Sequence, residues 1–235
     1  MNGLRCGPLV FARWSSRLAQ RALIYNSYYP AFDRGDFQQL GVLGPFGSLE
    51  GPAAPPARLW RVRDPRYFQF RDKYVLLFDN ARVRDEYLER TRGKRLNKVR
   101  VRFQPAGELA TVVDKFMQYS RNLEAAYASE DAYRLAIASP NEESTKTLGE
   151  AVVGTELLES KSALVWNLPN TWHPGRVADT FWQYDVKHCF KMFWNELDNV
   201  SLYYFAFNET HERDKFKYNV HGVYLNEAKL LVESL

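Results

Sequence analysis

The sequence predicts an α+β protein in which one structural pattern occurs twice. A repeat with a constant offset of 129 residues supports this prediction, and so does a composition suited to a packed core. Of the 235 residues, 46% are hydrophobic and 15% are aromatic, so the chain can bury enough apolar surface to fold. The length accommodates one large domain or two small ones, and the repeat favours two.

The repeat is clearest in the second half of each copy. Phe78 and Gly93 are separated by fifteen residues, and Phe207 and Gly222 have the same separation. Each glycine begins a Gly-x-x-Leu-Asn turn, and a strand follows each turn. The residues between the two anchors are charged and helix-forming, so each copy ends in the order strand, helix, turn, strand.

The first half of each copy adds a strand that ends in asparagine and then a helix, and in the second copy a further strand follows at 190–194. The Pro/Ala/Gly-rich residues 51–57 supply much of the extra length of the first copy, and their composition indicates a loop. Both copies therefore have the order βαββαβ, the ferredoxin-like arrangement in which two helices back an antiparallel sheet. In the first copy, the predicted strands are 22–26, 71–78 and 99–103, and the predicted helices are 37–43 and 82–92. In the second copy, the predicted strands are 163–168, 190–194, 200–207 and 229–232, and the predicted helices are 177–184 and 209–218.

An amphipathic helix and an acidic linker are predicted between the two copies. From Glu108 to Ala138, apolar residues recur at three- and four-residue spacing, which is typical of a helix that packs against a neighbouring module, and Ser139-Pro140 ends it. Residues 141–161 contain five Glu and two Lys among Ser, Thr and Gly, which favours a mobile linker. The predicted organisation is a basic N-terminal segment (1–20), a first module (21–106), the helix and linker (107–161) and a second module (162–235).

The two copies resemble the RNA-recognition-motif (RRM) family across about residues 20–106 and 160–235. The run Ala-Leu-Val-Trp-Asn-Leu at 163–168 is similar to the family's first-strand motif, and residues 200–207 are similar to its third-strand motif; 22–27 and 71–78 are the weaker equivalents. The resemblance implies an RRM-like fold and a role in RNA binding. Members of the family stack bases on aromatic side chains at three motif positions, which correspond to Leu23, Lys73 and Val75 in the first copy and to Leu164, Leu202 and Tyr204 in the second.

Tyr204 is the one aromatic residue at these positions. Strand alternation predicts that its ring is exposed on the sheet, with Trp166 as a neighbour or as a loop-facing residue, while the residues flanking Tyr204 in the strand face the core. Residues 162–235 carry a net charge of −2. Such a surface suits a protein partner or a few stacked nucleotides better than a long track of phosphates.

The first module is strongly basic, because residues 57–107 hold fifteen Lys/Arg against six Asp/Glu. The alternation in Val99–Phe103 places Arg100 and Arg102 together on one face of a strand, and such cations are suited to RNA phosphates. A solvated edge strand whose charges prevent aggregation is the alternative explanation. The predicted RNA-binding residues are Arg58, Arg61, Arg63, Lys73, Lys94, Arg95, Lys98, Arg100, Arg102, Trp166 and Tyr204.

The N-terminus has the composition of an organellar import sequence. Arg5, Arg13, Arg17 and Arg21 precede the first acidic residue, Asp33, and serine, leucine and alanine lie among them. This pattern predicts import into the mitochondrial matrix. An ordinary basic N-terminal arm is the alternative.

The sequence contains no motif that indicates a cofactor, a metal or a catalytic nucleophile. It has no Gly-x-x-x-x-Gly-Lys loop, no His-Glu-x-x-His and no Cys-x-x-Cys, and Cys6 and Cys189 lie far apart. We therefore expect no catalytic residue, no metal and no small-molecule cofactor. We also expect no membrane span, because no apolar run approaches the roughly 20 residues that one requires.

These patterns favour an RNA-binding component or accessory factor of a mitochondrial ribonucleoprotein, such as a ribosome or an RNA-processing complex. The first module would hold RNA phosphates, and the second would bind another protein of the complex or a base. The alternative hypothesis is a protein-binding scaffold whose RRM-like modules no longer bind RNA. An enzyme built on the ferredoxin-like fold is a third hypothesis.

Overall fold

The computed structural model describes residues 21–42, 54–106, 109–139, 146–225 and 228–235. The predicted import segment, residues 1–20, lies outside this part of the chain. The chain divides into two compact units: unit 1 comprises residues 1–63 and 69–116, and unit 2 comprises residues 64–68 and 117–235.

Unit 1 is a four-stranded antiparallel sheet backed by two helices. Its elements are β1 (Ala22–Asn26), α1 (Arg34–Val42), β2 (Arg58–Arg63), β3 (Phe70–Leu77), α2 (Ala81–Thr91), β4 (Arg95–Leu96), β5 (Val99–Arg100) and β6 (Phe103–Pro105). The strand order in the sheet is β2-β3-β1-β6. Phe37 of α1 packs against Tyr25 of β1 with ring centroids 5.7 Å apart, and Tyr87 of α2 belongs to the same buried core.

Unit 2 has the same architecture, preceded by additional helices. The elements after β6 are α3 (Leu109–Ala128), α4 (Glu130–Ala138), α5 (Leu148–Glu159), β7 (Ser162–Trp166), α6 (Pro174–Thr180), β8 (Val186–Asn195), β9 (Val200–Phe207), α7 (Thr210–Val220), β10 (Tyr224–Leu225), β11 (Ala228–Lys229) and β12 (Leu231–Ser234). The strand order is β12-β7-β9-β8. Phe205 of β9 and Phe216 of α7 pack with ring centroids 5.2 Å apart in the core on one face of the sheet.

The two sheets share one topology: in each, the strands stand in the order fourth, first, third, second, with all neighbours antiparallel. This is the arrangement of the split β-α-β fold. The prediction of two RRM-like βαββαβ modules joined by an amphipathic helix is therefore confirmed.

The repeat at an offset of 129 residues is also present in the backbone. Gly93 and Gly222 both adopt positive φ, +79° and +87°, a conformation that glycine reaches without a steric penalty. Each begins a short hairpin, and an equivalent backbone hydrogen bond closes both: Val101 N–H donates to the Lys94 carbonyl at 2.9 Å, and Leu230 N–H donates to the Val223 carbonyl at 2.8 Å.

The hairpin in unit 1 corrects the prediction of one continuous strand over residues 99–103. β4 and β5 are joined by Asn97 and Lys98, both with positive φ (+47° and +68°), as a two-residue hairpin turn of type I′ requires. The chain then passes to β6, which begins at Phe103. Arg100 and Arg102 therefore do not lie on one face of a single strand, because Arg100 belongs to the hairpin and Arg102 lies between two strands.

The predicted long helix is divided at Ser129, whose hydroxyl accepts a hydrogen bond from the Ala132 N–H and caps α4. The prediction of a mobile linker over residues 141–161 is wrong from Thr147 onward, because Thr147 caps the helix α5. Thr147 and Glu150 form a reciprocal capping box at this end. The helix is also held by packing, since the Thr155 hydroxyl donates to Ser120 of α3 at 2.7 Å. Residues 141–145 of the predicted linker lie outside the described residues.

Within the described ranges, no helix is both long enough and apolar enough to span a bilayer.

Candidate nucleic-acid interface

The β4–β5 hairpin of unit 1 presents a dense group of accessible cations. Arg95 and Arg100 are directly paired across the hairpin, and both are exposed. Opposite side chains in an antiparallel pair are about 4.5–5.5 Å apart at Cβ, and like charges at this separation repel. Lys98 in the turn and Arg102 after the hairpin are also exposed.

These four side chains are called the hairpin cations below: Arg95, Lys98, Arg100 and Arg102. Residues 93–106 contain five Lys/Arg and no Asp or Glu. Among the residues that the structure describes, none of the four forms an ion pair. A bound polyanion would offset the repulsion and could accept hydrogen bonds from the guanidinium groups.

Lys94 was predicted to be part of the same surface, but its ammonium group has a structural role. It donates a hydrogen bond to the Leu40 carbonyl in the last turn of α1, where a cation also favours the helix dipole. Burial lowers the pKa of Lys94, and the nearby Arg90 guanidinium lowers it further. We therefore do not count Lys94 among the cations available to a ligand.

The three predicted arginines of β2 differ in accessibility. Arg58 is exposed, whereas Arg61 is half-buried and donates to the Phe32 carbonyl at 3.2 Å. Arg63 is only 3% exposed, so its predicted position on a phosphate-facing surface is wrong. A β-bulge between Arg61 and Arg63 interrupts the strand alternation. Burial raises the pKa of the nearby Tyr74 hydroxyl, and the positive charges of Arg61 and Arg63 partly offset this rise.

The sheet face of unit 1 that lies opposite α1 and α2 is partly covered. The ring of Trp60 in β2 stacks on that of Phe116 in α3, with centroids 4.7 Å apart and planes 8° apart. Trp60 pairs with Val75, which is fully buried. Lys73, two residues before Val75 in β3, is half-buried.

The base-stacking position in β1 is Ile24 rather than Leu23. Ile24 pairs with Val75, just as Leu164 pairs with Tyr204 in unit 2, whereas Leu23 lies in the core beneath the helices. The assignment fails by one residue because a shift of one position in a strand moves every side chain to the other face.

Tyr204 in unit 2 is completely buried, so the prediction that its ring is exposed on the sheet is wrong. Its hydroxyl is hydrogen-bonded to that of Ser162 at 2.8 Å, and its ring packs against those of Phe190 and Phe68, with centroids 5.3 and 5.8 Å away. The other two motif positions of this unit, Leu164 and Leu202, are also fully buried.

Residues 64–68 and the helices before β7 cover this face of the unit 2 sheet. Phe68 is buried with a positive φ of +59°, and its ring contacts those of Tyr119 in α3 and Tyr133 in α4 at 5.6 and 5.8 Å. The Asn122 side-chain amide donates to the Pro65 carbonyl at 2.8 Å. This sheet therefore has a core on both faces, and bases cannot stack on its motif positions in the conformation described.

Trp166, the last predicted site residue, is half-buried at the end of β7. It is paired with the exposed Leu231 of β12, which the sequence interpretation missed, and with the buried Leu202 of β9, which is paired in turn with the exposed Phe193 of β8. Strand alternation alone did not identify Phe193, because a β-bulge between Lys191 and Phe193 shifts the register of β8.

No group of three or more His, Cys, Asp or Glu side chains is arranged to hold a metal ion within the described parts of the chain.

Comparisons with known proteins link the chain to one named protein. A family model described as the Protein PET54 N-terminal domain matches residues 19–122. The chain is 34% identical over 181 residues to Protein PET54 of Saccharomyces cerevisiae (strain ATCC 204508 / S288c), and the match covers 75% of this chain and 62% of that protein. The chain thus spans less than two thirds of the length of this relative.

Among solved structures, the chain is similar to the third RRM domain of Mip6, with a TM-score of 0.30 and 18% identity over 32% of this chain and 93% of that domain. It is also similar to the Sxl-lethal protein in a protein–RNA complex, with a TM-score of 0.28 and 12% identity over 92% of this chain and 99% of that one.

Proposed function

We propose that this protein is a non-catalytic RNA-binding component of a mitochondrial ribonucleoprotein, and that the hairpin cations of unit 1 hold RNA phosphates. The observation that supports the proposal is the pairing of Arg95 with Arg100 across a hairpin in a segment, residues 93–106, that contains no Asp or Glu. Two facing guanidinium groups lower the stability of the free protein, and a phosphate between them reverses that cost.

The mode of binding is a contact with the RNA backbone rather than base stacking on the sheets. The motif positions carry no exposed aromatic ring: those of unit 1 are Ile24, Lys73 and Val75, and those of unit 2 are buried. Phosphate contacts supply affinity and little sequence preference.

A salt titration of RNA binding tests this proposal. We expect the double variant Arg95→Ala/Arg100→Ala to reduce the slope of log affinity against log salt by about 1.4 to 1.8, since each lost phosphate contact is worth about 0.7 to 0.9. The matched control is Arg92→Ala/Arg134→Ala, which removes the same charge from two exposed arginines that are paired with Glu89 and Glu130. Equal slopes for the hairpin variant and the control would refute the phosphate assignment.

The mitochondrial location rests on the basic, acid-free residues 1–20. These residues fused to a passenger protein should direct it into the mitochondrial matrix, whereas a version with Arg5, Arg13 and Arg17 changed to Gln should not. A passenger that stays outside mitochondria would overturn this part of the proposal.

A protein-binding scaffold is the second candidate function, and α5 favours it. Val153 and Leu157 lie one turn apart on this helix and are each 59% exposed, although such side chains are usually buried. A protein that shows no salt-dependent affinity for any RNA would favour this alternative.

A further inference from the structure

The helix α5 carries apolar residues all round, although its buried residues lie on one side. Its sequence is Leu-Gly-Glu-Ala-Val-Val-Gly-Thr-Glu-Leu-Leu-Glu. Ala151, Val152 and Thr155 are buried, and the hydrogen bond between Thr155 and Ser120 holds this side against α3. A helix that is apolar all round is usually buried all round, so the opposite side of α5 has the composition of a covered surface.

The opposite side of α5 is centred on Val153 and Leu157. At about 100° per residue, these two side chains point away from Ala151 and Thr155, and both are exposed. Because they are four residues apart, they are neighbours on the helix surface. We call the surface formed by Val153, Gly154 and Leu157 the outer face of α5.

Gly154 in the outer face is not required by the packing of unit 2. Apart from the helix's own backbone and the adjacent residues, no heavy atom of the described residues lies within 4 Å of the position that its Cβ would occupy. A glycine within a helix lowers the stability of that helix relative to alanine. It does allow another backbone to approach α5 closely, because the distance between packed helices depends on the side chains at their contact.

The charge of α5 indicates which molecules the outer face can accept. The helix contains Glu150, Glu156 and Glu159 and no Lys or Arg. Glu156 is exposed next to Leu157, whereas the Glu159 carboxylate accepts a hydrogen bond from the Tyr119 hydroxyl. Carboxylates beside apolar side chains disfavour RNA and anionic lipid headgroups and favour a partner with Lys or Arg.

We propose that the outer face of α5 docks an amphipathic helix of a partner protein, in which Lys or Arg flank the apolar side chains. Apolar side chains of the partner cover Val153 and Leu157, and its backbone crosses α5 at Gly154. This inference goes beyond the proposed RNA contact, because it gives unit 2 a protein partner whether or not unit 1 binds phosphates.

A second copy of this chain is a poorer occupant than a basic helix. It would bring two acidic helices together, and like charges across a contact oppose association. A helix of 12 residues is about 18 Å long and offers a small interface. We therefore expect reversible docking rather than an obligate complex.

Two synthetic peptides serve as probes of this chemistry. Both are amphipathic helices of about 18 residues with the same leucine positions, and their polar positions are all Lys in one peptide and all Glu in the other. Each is titrated against the full-length protein, with fluorescence anisotropy as the readout. We expect the Lys peptide to bind, although the protein has a formal net charge of +4, so nonspecific attraction does not explain its binding.

The double variant Val153→Gln/Leu157→Gln should weaken binding of the Lys peptide by about tenfold or more. Leu135→Gln is the matched control, because Leu135 is 70% exposed on α4; it should retain the wild-type affinity. Any binding of the Glu peptide should be the same in all these proteins, since it would involve cations outside α5.

Gly154→Leu separates docking from folding. Leucine favours a helix more than glycine does, so this variant should be at least as stable to heat as the wild type. The added side chain blocks the close approach, so the affinity for the Lys peptide should fall by about tenfold. A crosslinker on the Lys peptide should map to residues 148–160.

Several results would overturn the inference. The first is a Lys peptide that does not bind the wild-type protein, and the second is one that binds the glutamine double variant or Gly154→Leu as tightly as the wild type. Self-association that Val153→Gln/Leu157→Gln abolishes would identify a second copy as the occupant instead. Failure of the RNA proposal is separate, because the salt slope of RNA binding should be unchanged in every α5 variant; a changed slope would assign α5 to the RNA interface.

Discussion

The ring of Phe68 packs edge to face on the ring of Tyr204, with centroids 5.8 Å apart, and both side chains are fully buried in unit 2. Phe68 thus covers the residue on which the sequence pattern places a base. Phe68 also adopts a positive φ of +59°, which is rare for a bulky residue and persists only where the surrounding packing holds it.

Tyr204→Phe should reduce stability without changing RNA affinity. The change leaves the buried Ser162 hydroxyl without the partner that it has at 2.8 Å, and an unsatisfied buried hydroxyl costs about 1–3 kcal/mol. The free energy of unfolding in urea measures this loss, and Tyr224→Phe, at a position 70% exposed, should cause none. A Tyr204→Phe protein with normal stability and weakened RNA binding would indicate that the Tyr204 hydroxyl contacts RNA.

Lys98→Gly should have opposite effects on stability and on RNA binding. Lys98 has a positive φ of +68° in the β4–β5 turn. Glycine removes about 1–2 kcal/mol of left-handed backbone strain and costs about 0.5–1 kcal/mol in conformational entropy, so we expect a net gain of up to about 1 kcal/mol in the free energy of unfolding. The same change removes one hairpin cation, so the salt slope should fall by about 0.7 to 0.9. Lys98→Ala separates the two effects, since it removes the charge and keeps the strain. A glycine variant with unchanged salt dependence would show that Lys98 makes no phosphate contact.

The capping box of α5 should make stability dependent on pH in the acidic range. Glu150 accepts hydrogen bonds from the Thr147 backbone N–H and hydroxyl at 2.8 and 2.9 Å, and these bonds lower the pKa of Glu150. A carboxyl group whose pKa is lower in the folded protein stabilises the fold above its unfolded pKa, and this contribution disappears as the pH falls through the folded pKa.

Glu150→Gln should therefore be less stable than the wild type near neutral pH, and the difference should shrink as the pH falls below the ordinary carboxyl value of 4.5. Urea unfolding over this range measures the difference, with Glu156→Gln, an exposed position on the same helix, as the control. A difference that is constant with pH would contradict the role of the ionised cap.

The thiol of Cys189 should not react in the native protein. It is buried in the core of unit 2, and burial, followed by the charge of Glu130, raises its pKa to about 12. In a Cys6→Ser variant, where Cys189 is the remaining cysteine, a thiol reagent at mildly alkaline pH should label the protein only after denaturant is added, because the thiolate is the reactive form. Rapid labelling of the folded variant would show that this core opens.

Local signals in the sequence were sufficient for the framework of the fold. The strand over residues 22–26 and the strand over residues 200–207 have the predicted bounds, because compact apolar runs next to turn residues are strong strand signals. Gly93 and Gly222, which the sequence repeat relates, both adopt a positive φ, because glycine adopts this conformation without a steric penalty.

The covering of the sheets could not be predicted in this way. Alternation shows which side chains share a face with Tyr204, but it does not show whether a distant segment packs on that face. Phe68 comes from residues 64–68, and its positive φ has no sequence signal. The helix α5 does have a sequence signal, since Thr147 and Glu150 have the spacing of a capping box, whereas the acidic composition of the segment is typical of a linker.

The paired positions of the two hairpins show how a duplicated module can diverge. Arg95 and Arg100 in one copy correspond to Tyr224 and Lys229 in the other, on a backbone with the same turn glycine and the same closing hydrogen bond. Because the two hairpins share this backbone geometry and differ in the paired side chains, we expect exchange of the paired residues to change the charge of such a hairpin at little cost to folding. Tyr224→Arg would place two cations opposite each other across the second hairpin, as Arg95 and Arg100 are placed across the first.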